Sequence, residues 1–298
     1  MKILIIAILV IFVLFAGLSW GLCYYATHVK RQSFEEALAW QKDHYDISFY
    51  DGLEKTDYTV VSYDGYVIPV QFLKNPDPTD KYMLITHGHT DNHYGMLKYT
   101  KMYLDFGFNV ILYDLRAHGE NVKTICTFSI REAKDLDVII KDCRERYPDM
   151  KVFGIHGESL GAATTVAVLK YKPAVDFAVS DCGFAEIIPV MQGGLRGMHL
   201  PAFMVYPASL VSRIIYGYSF KDMRPIDSLK DNEIPILFIH GADDTYILPS
   251  HAKMMQAATK GYSEVHLIPG AEHAASILTD PEAYRKIVGE FLEKVGKM

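Results

Sequence analysis

The sequence predicts an α/β fold with a mostly parallel central sheet, an antiparallel hairpin at its start and helices on both faces. The hairpin signal is Asp64-Gly65, which lies between two runs rich in β-branched and aromatic residues. Beyond residue 80, short apolar runs alternate with stretches long enough to form helices. This alternation is typical of parallel strands joined by crossover helices, and the hairpin adds an antiparallel edge.

The elements follow one another along the chain in a regular order. The hairpin comprises residues 57–63 and 66–73, and Pro69 indicates that one of its strands is an edge strand. Later strands are predicted at residues 82–87, 109–114, 151–156, 176–180, 236–239 and 264–268. Helices are predicted at residues 94–106, 130–147, 162–169, 249–259 and 281–295. In such a sheet, functional side chains gather at the carboxyl ends of the strands.

The N-terminal run from Ile3 to Leu22 carries no charge and is long enough to span a bilayer. The alternative is a cleaved signal peptide, whose apolar region is shorter and ends in a small-residue site. Here bulky aromatic residues such as Trp20 end the run, as they do at a membrane interface. We therefore predict a transmembrane anchor over residues 1–27, with the remainder of the chain outside the cytoplasm.

Residues 28–55 are predicted to form a juxtamembrane spacer ahead of a folded domain at residues 56–298. Within the spacer, Ser33 and Glu36 have the spacing of a capping box and predict a helix start. The chain has a net charge of -6 and no basic face, so nucleic acid is not an expected partner. Its four cysteines lack the paired spacing of a zinc or disulfide framework.

A serine lies between two glycines at Gly157-Glu158-Ser159-Leu160-Gly161, after a predicted strand and before an Ala-rich helix. This strand-to-helix turn is the nucleophile-elbow arrangement, in which the serine oxygen projects above the sheet. The start of the following helix directs free N–H groups and a positive dipole end toward the reacting oxygen. The alternative is a serine that only caps the helix.

Two further polar loops follow later strands. Asp243 and Asp244 come after the strand at residues 236–239, and His273 follows the last strand. The order serine, aspartate, histidine matches a catalytic triad in which imidazole activates the serine and a carboxylate fixes the imidazole tautomer. Either aspartate could supply that carboxylate, because the other one suits a turn.

With these motifs the chain resembles the α/β-hydrolase superfamily, and specifically bacterial serine hydrolases that carry a hydrophobic N-terminal segment. More distant relatives of that branch include eukaryotic membrane-associated acyl hydrolases. The resemblance extends from about Tyr58 to the C-terminus. Its marks are His87-Gly88-His89-Thr90, Asp114-Leu115-Arg116-Ala117-His118-Gly119, the serine elbow, His240-Gly241-Ala242-Asp243-Asp244 and Gly270-Ala271-Glu272-His273.

The resemblance implies a role for individual residues. In the family pattern the acid falls four residues after the histidine of the second His-Gly pair, which selects Asp244 over Asp243. Ser159 and His273 are the other implied catalytic residues. The backbone N–H groups of His89 and Leu160 would form the oxyanion hole, whose donors typically contribute about 3 kcal/mol of transition-state stabilisation each.

Residues 184–232 form an insertion longer than an ordinary connection, with four methionines and two apolar stretches. We interpret it as a helical lid with flexible apolar surface suited to acyl chains. The alternative is ordinary core packing of two additional helices.

Two other functions compete with a serine mechanism. The cluster His87, His89, Asp91 and His93 nearly matches a metal-binding box, in which zinc would activate a bound water. Asn92, however, stands where that box requires histidine. The other competitor is a catalytically inactive scaffold that uses the fold for binding.

The sequence therefore predicts a serine hydrolase that cleaves a carboxylic ester or thioester through an acyl-enzyme. We expect a small-molecule or lipid-like acyl substrate, with no cofactor and no metal. Peptide hydrolysis by the same triad is the alternative, because the same three side chains also cleave amides.

Overall fold

A computed structural model describes residues 1–298 and contains one sheet of eight strands. The strands are β1 (Lys55–Val61), β2 (Val67–Leu73), β3 (Lys81–Thr86), β4 (Asn109–Tyr113), β5 (Val152–Glu158), β6 (Phe177–Asp181), β7 (Ile236–Gly241) and β8 (Ser263–Ile268). The first helices are α1 (Lys2–Thr27), α2 (Phe34–His44), α3 (Ser48–Asp51), α4 (Leu97–Asp105), α5 (Ile130–Arg146) and α6 (Leu160–Ala167). The later helices are α7 (Ile187–Gly197), α8 (Val205–Tyr216), α9 (Ser250–Ala258), α10 (Ser276–Thr279) and α11 (Pro281–Lys294). Short 3₁₀ turns occur at His93–Met96, Val168–Tyr171, Ala202–Met204, Phe220–Asp222 and Pro225–Ser228.

The spatial order of the strands is β1-β2-β4-β3-β5-β6-β7-β8. β1 and β2 pair antiparallel, as do β2 and β4, and every later pairing is parallel. This is the α/β-hydrolase fold, so the predicted fold class is confirmed. The parallel strands place their carboxyl ends, and the loops that follow them, along one edge of the sheet.

Helices cover both faces of the sheet, because alternate side chains of each strand point in opposite directions. In β3, Leu84 belongs to a core that it shares with α5, α6 and α9. Its neighbours Met83 and Ile85 belong to a second core that includes α4 and α11. Two buried faces explain why the central strands read as continuous apolar runs rather than as alternating ones.

The hairpin forms at the predicted Asp64-Gly65 turn. Gly65 has a φ of 83°, a conformation that a residue without a Cβ adopts easily, and β1 pairs with β2 from Val61↔Val67 onward. β1 is the edge strand of the sheet. Pro69 pairs with β1 but lies before the stretch that pairs with β4, where its missing N–H is tolerated.

Helix α1 has a mean hydropathy of 3.0 over its most apolar window, of which 6% is buried. Its 26 residues are long and apolar enough to cross a membrane. Most of its surface contacts no other part of the protein. The exceptions are Ser19, Cys23 and Thr27, one on each turn, which are buried near its C-terminal end.

The segment after α1 packs against the loops that follow β3 and β4. The predicted capping box forms at the start of α2, with the Glu36 N–H donating to Ser33 Oγ at 3.1 Å. The Gln32 N–H donates to the Thr90 carbonyl at 3.0 Å. The Cys126 N–H donates to the Thr27 carbonyl at 2.8 Å, so the stretch from Thr27 to Gln32 is held to the folded unit at both ends.

The insertion between β6 and β7 contains α7 and α8, joined through short 3₁₀ turns. Its inner face is apolar and includes Val190, Leu195 and Val205. On the outer face of α8, Leu210 and Ile214 are exposed. The lid function of this insertion stays a prediction.

Candidate active site

The turn between β5 and α6 has room only for glycine on either side of Ser159. A Cβ built on Gly157 would lie 2.1 Å from the Gly161 carbonyl oxygen, and one built on Gly161 would lie 2.1 Å from the Thr86 carbonyl oxygen. Ser159 itself has a φ of 54°, an unfavourable value for a residue with a side chain. The close contacts hold this strained turn in place, as expected at a nucleophile elbow.

The structure brings three of the predicted residues into one hydrogen-bonded chain. The Ser159 hydroxyl lies 2.9 Å from His273 Nε2, and His273 Nδ1 lies 2.7 Å from Asp244 Oδ2. Each residue stands just beyond the carboxyl end of a strand, after β5, β7 and β8. The side chain of His273 is 23% exposed, so the imidazole stays accessible to a substrate.

The two neighbouring aspartates have different surroundings. Asp244 is buried, and its Oδ1 accepts the N–H groups of Tyr246 and Ile247, both at 2.9 Å. Burial by itself would raise the pKa of Asp244, but hydrogen bonds from His240 and His273 outweigh it and hold the pKa well below its usual range. Asp243 is exposed and its carboxylate has no hydrogen-bond partner in the protein.

The predicted oxyanion donors lie next to the serine. A Cβ on Gly88 would be 3.4 Å from the Ser159 Cβ, so the loop after β3 passes directly beside Ser159. Neither the His89 N–H nor the Leu160 N–H donates to another backbone or side-chain group. Leu160 is the first residue of α6, where the N–H has no partner within the helix.

The His89 side chain is half-buried and uncharged. Burial, reinforced by His87, lowers the pKa of His89 to about 4. Its ring lies 5.4 Å from that of Phe128. A neutral ring in this position adds apolar surface beside the proposed donors instead of a positive charge.

A buried polar network borders the serine on the side of α4. Lys98 Nζ lies 2.5 Å from Glu158 Oε2, and the Tyr99 hydroxyl donates to the same carboxylate at 2.6 Å and to Asp181 at 3.0 Å. Burial, together with the nearby Glu158 charge, raises the pKa of Asp181 to about 6. Lys98 does not stand out in the sequence, where its only signal is a lysine between the apolar residues of an amphipathic helix.

Two cavities meet at the loop after β3, residues 87–90, which carries the proposed donor His89 and is called the oxyanion loop below. A polar one of about 360 Å³ lies under α2 and reaches Ser159 and His273. Gln41 lines it with a buried Oε1 that has no protein partner. The other, of about 540 Å³, is mainly apolar and lies under α7 and α8. His89 and Thr90 line both cavities.

A larger depression of about 840 Å³ lies at the opposite end of the sheet, near the starts of β6 and β7. It is lined by charged residues such as Lys172 and Glu233 and contains no member of the hydrogen-bonded chain. Because it lies away from the strand ends that carry the polar loops, we assign the site to the two smaller cavities.

The four side chains of the alternative metal cluster do not converge. His87 Nε2 accepts the Leu115 N–H at 2.9 Å, whereas His93 Nδ1 contacts Asp114 Oδ1 at 2.9 Å. No group of three or more His, Cys, Asp or Glu side chains is arranged to hold a metal ion. His87 Nε2 lies 4.0 Å from the same Asp114 oxygen but is occupied by the Leu115 N–H, so the metal hypothesis lacks geometric support. The cluster comprises His87, His89, Asp91 and His93.

Comparisons with known sequences point to one family. A model of the prolyl oligopeptidase family matches residues 135–297. The uncharacterized protein YqkD of Bacillus subtilis is 30% identical over 273 residues, which cover 90% of this chain and 89% of YqkD. The uncharacterized membrane protein YNL320W of Saccharomyces cerevisiae is 20% identical, over 86% of this chain and 85% of that protein.

Solved structures share the fold. The esterase Pf2001 of Pyrococcus furiosus superposes with a TM-score of 0.67 at 25% identity, covering 85% of this chain and 95% of the esterase. The acylaminoacyl peptidase of Pyrococcus horikoshii superposes with a TM-score of 0.64 at 14% identity, covering 85% of this chain and 44% of the peptidase. An esterase and a peptidase therefore share this architecture.

Proposed function

Since the chain belongs to the prolyl oligopeptidase family and has the α/β-hydrolase fold of serine hydrolases, we propose that it cleaves a carboxylic ester or thioester. The observation that carries the proposal is the hydrogen-bonded chain from Ser159 through His273 to Asp244, with contacts of 2.9 and 2.7 Å. In a triad of this geometry a weakly nucleophilic hydroxyl acquires an adjacent base whose orientation is fixed.

In the proposed mechanism His273 Nε2 removes the Ser159 proton while the serine oxygen attacks the acyl carbon. The Asp244 carboxylate stabilises the imidazolium that forms, and the N–H groups of His89 and Leu160 stabilise the developing oxyanion. The imidazolium then protonates the departing alcohol or thiol. Water, activated by the same histidine, hydrolyses the acyl-enzyme and restores the free serine.

The form of the two cavities supports an acyl substrate. The apolar cavity under the lid suits a hydrocarbon chain, while the polar cavity under α2 offers Gln41 and Lys98 to an alcohol or thiol portion. Peptide hydrolysis is the second candidate, favoured by the match to the prolyl oligopeptidase family. A panel of acyl esters, acyl thioesters and peptide amides assayed with the full chain separates the two.

The apolar helix α1 supports a membrane location. Its side chains from Ile3 to Phe15 are mostly exposed, a costly arrangement in water and a favourable one in lipid. We propose that α1 anchors the protein in a membrane, with the catalytic unit outside the cytoplasm.

The first test replaces the nucleophile. In the full-length protein, Ser159→Ala is expected to lower hydrolysis of p-nitrophenyl butyrate by about 10⁴-fold or more, because the attacking oxygen is lost. Labelling by a fluorophosphonate should disappear with it. The matched control is Ser250→Ala, which removes an exposed hydroxyl at the start of α9.

Wild-type turnover in Ser159→Ala would contradict the serine mechanism. So would a native enzyme that a chelator inactivates and the phosphonate does not. Circular dichroism of both variants checks that the fold is unchanged.

A further inference from the structure

The apolar cavity has three walls, and one of them is the anchor helix. Lid residues from α7 and α8 form the first wall, and Phe128 with the oxyanion loop forms the second. The third wall is the C-terminal end of α1 and the residues just after it. Removing the anchor would therefore open this cavity to solvent. The wall residues from the anchor segment are Leu22, Tyr24, Tyr25, Ala26, His28, Val29 and Lys30.

The cavity leads to the proposed site. His89, which follows the glycine packed beside Ser159, lines it. Tyr246 lines it as well, and its ring centroid lies 5.1 Å from that of His273. A chain held in the apolar cavity thus ends next to the serine and the imidazole.

Helices α1 and α8 run side by side along this cavity. Cys23 lies beside Ser212, and one turn further along both helices the rings of His28 and Tyr216 are 6.4 Å apart. Because the contacting residues advance in the same direction along both helices, α1 and α8 run parallel. Small residues, Ser19 and Thr27 among them, line the buried side of α1 and allow close approach.

The cavity lies at the level expected for a membrane interface. Trp20 and Tyr24 stack at 5.5 Å on α1, and aromatic side chains of this kind mark the boundary between lipid and water. Ala26, in the cavity wall, is only about 9 Å further along the helix axis. Tyr25 and Met198 line the cavity and are also exposed, which places the opening of the cavity beside the C-terminal end of α1.

The outer face of α8 is apolar and uncovered. Tyr206, Leu210 and Ile214 recur at helical spacing, Phe203 extends the row into the preceding 3₁₀ turn, and all four are 48–75% exposed. Because α8 lies against α1, this face continues the apolar surface of the anchor. The bilayer that receives α1 is therefore the occupant that this face fits.

We propose that the anchor helix is part of the substrate site: the apolar cavity takes the acyl chain of a membrane lipid, which enters from the bilayer past Tyr25 and Met198. This inference rests on the proposed serine-hydrolase function and names its substrate class. Addition of water across the ester bond would then give a fatty acid at the membrane and the alcohol portion of the lipid.

The test fills the cavity from the anchor side. Ala26→Trp in the detergent-solubilised full chain is expected to lower kcat/KM for p-nitrophenyl palmitate by about 10-fold or more, because the indole occupies the chain's space. Turnover of p-nitrophenyl acetate should stay within about two-fold, since the short acyl group does not reach that wall. Leu18→Trp is the matched control, on the same helix but outside the cavity, and should change neither rate.

A second arm tests entry from the bilayer. Leu210→Glu with Ile214→Glu is expected to slow hydrolysis of a long-chain ester embedded in phosphatidylcholine vesicles by about 10-fold, because charge is excluded from lipid. Hydrolysis of water-soluble p-nitrophenyl hexanoate should not change. Lys253→Glu, at an exposed position of α9, is the control for the change in charge.

Unchanged palmitate turnover in Ala26→Trp, or an equal loss with acetate, would overturn the proposal. If the α8 variant and the Lys253→Glu control hydrolyse the vesicle-embedded ester equally well, the proposed entry of the substrate from the bilayer would be overturned. Either result could occur with a fully active Ser159, whereas an active Ser159→Ala would reject the serine mechanism itself.

Discussion

At the scale of single residues, the site depends on how neighbouring side chains point. Asp244 contacts His273 at 2.7 Å and is shielded from water, while Asp243, one position earlier, is exposed. The Asp243 backbone N–H still bonds the Ala271 carbonyl at 3.0 Å, which ties the loops after β7 and β8 together. One aspartate thus orients the imidazole, and the other contributes its backbone to the loop.

This difference predicts opposite results for two matched variants. Asp244→Asn is expected to lower kcat by about 10⁴-fold, because an amide cannot hold the same imidazole tautomer or stabilise its charged form. Asp243→Asn should leave kcat within a few-fold and change stability by about 0.5 kcal/mol or less, as exposed substitutions usually do. The measurements are ester hydrolysis and the thermal midpoint of each variant. Loss of activity in Asp243→Asn instead would reject the assignment of the acid.

At the scale of elements, α4 and β5 are joined by a buried ion pair next to the nucleophile. The side chains of Lys98 and Glu158 are each 5% exposed, and the Tyr99 hydroxyl also donates to the carboxylate. Burial would lower the pKa of Lys98, but the Glu158 charge outweighs it and raises the pKa above its ordinary value. Lys98 is therefore charged in the folded protein, and its contact with Glu158 fixes α4 against β5.

Breaking this pair from one side should be costly. Lys98→Met is expected to destabilise the protein by about 3–5 kcal/mol, because it leaves the Glu158 carboxylate buried without its cation. Adding Glu158→Gln to that variant should recover part of the loss, since no unpaired charge then remains. Denaturant unfolding of the wild type, both single variants and the double variant gives the coupling energy. A coupling energy near zero would show that the pair does not link the two elements.

At the scale of the whole molecule, the N-terminal segment and the insertion between β6 and β7 both pack around the site. The sheet carries the serine, the aspartate and the histidine at one edge, and the insertion between β6 and β7 covers the adjoining apolar cavity. The C-terminal end of α1 completes this cover by packing on α8. In the segment that follows α1, the Gln32 N–H bonds the oxyanion loop. Helix α1 and the folded unit therefore share one continuous set of contacts.

Two truncations distinguish anchoring from site building. Deletion of residues 2–18 removes most of the apolar run but keeps the cavity wall, whereas deletion of residues 2–27 also removes the part of that wall that α1 contributes. We expect the intact chain to stay in the membrane pellet after carbonate extraction, and both truncated chains to be released from it.

Only the longer deletion should also reduce long-chain hydrolysis, because it alone exposes the cavity to water. A mature N-terminus found beyond Leu22 in the native protein would instead establish a cleaved signal.

The sequence by itself determined the sheet, most of its helices and the turn at Ser159. Strand and helix patterns are local, since apolar periodicity and turn residues act over a few positions. The elbow was equally local: two glycines around a serine between a strand and a helix predict a turn that only glycine permits. The order of Ser159, Asp244 and His273 followed from where the strands end, with the family resemblance choosing between the two aspartates.

Tertiary structure decided what local patterns do not encode. Lys98 finds Glu158 at a separation of 60 residues, and the end of α1 meets the lid almost 190 residues further along the chain. Residues 28–55, which we predicted to be a juxtamembrane spacer, bond the loop after β3 through Gln32 and line the polar cavity through Gln41. Contacts of this kind depend on how the chain packs in three dimensions, because burial of a charge or of an apolar wall is a property of its distant neighbours.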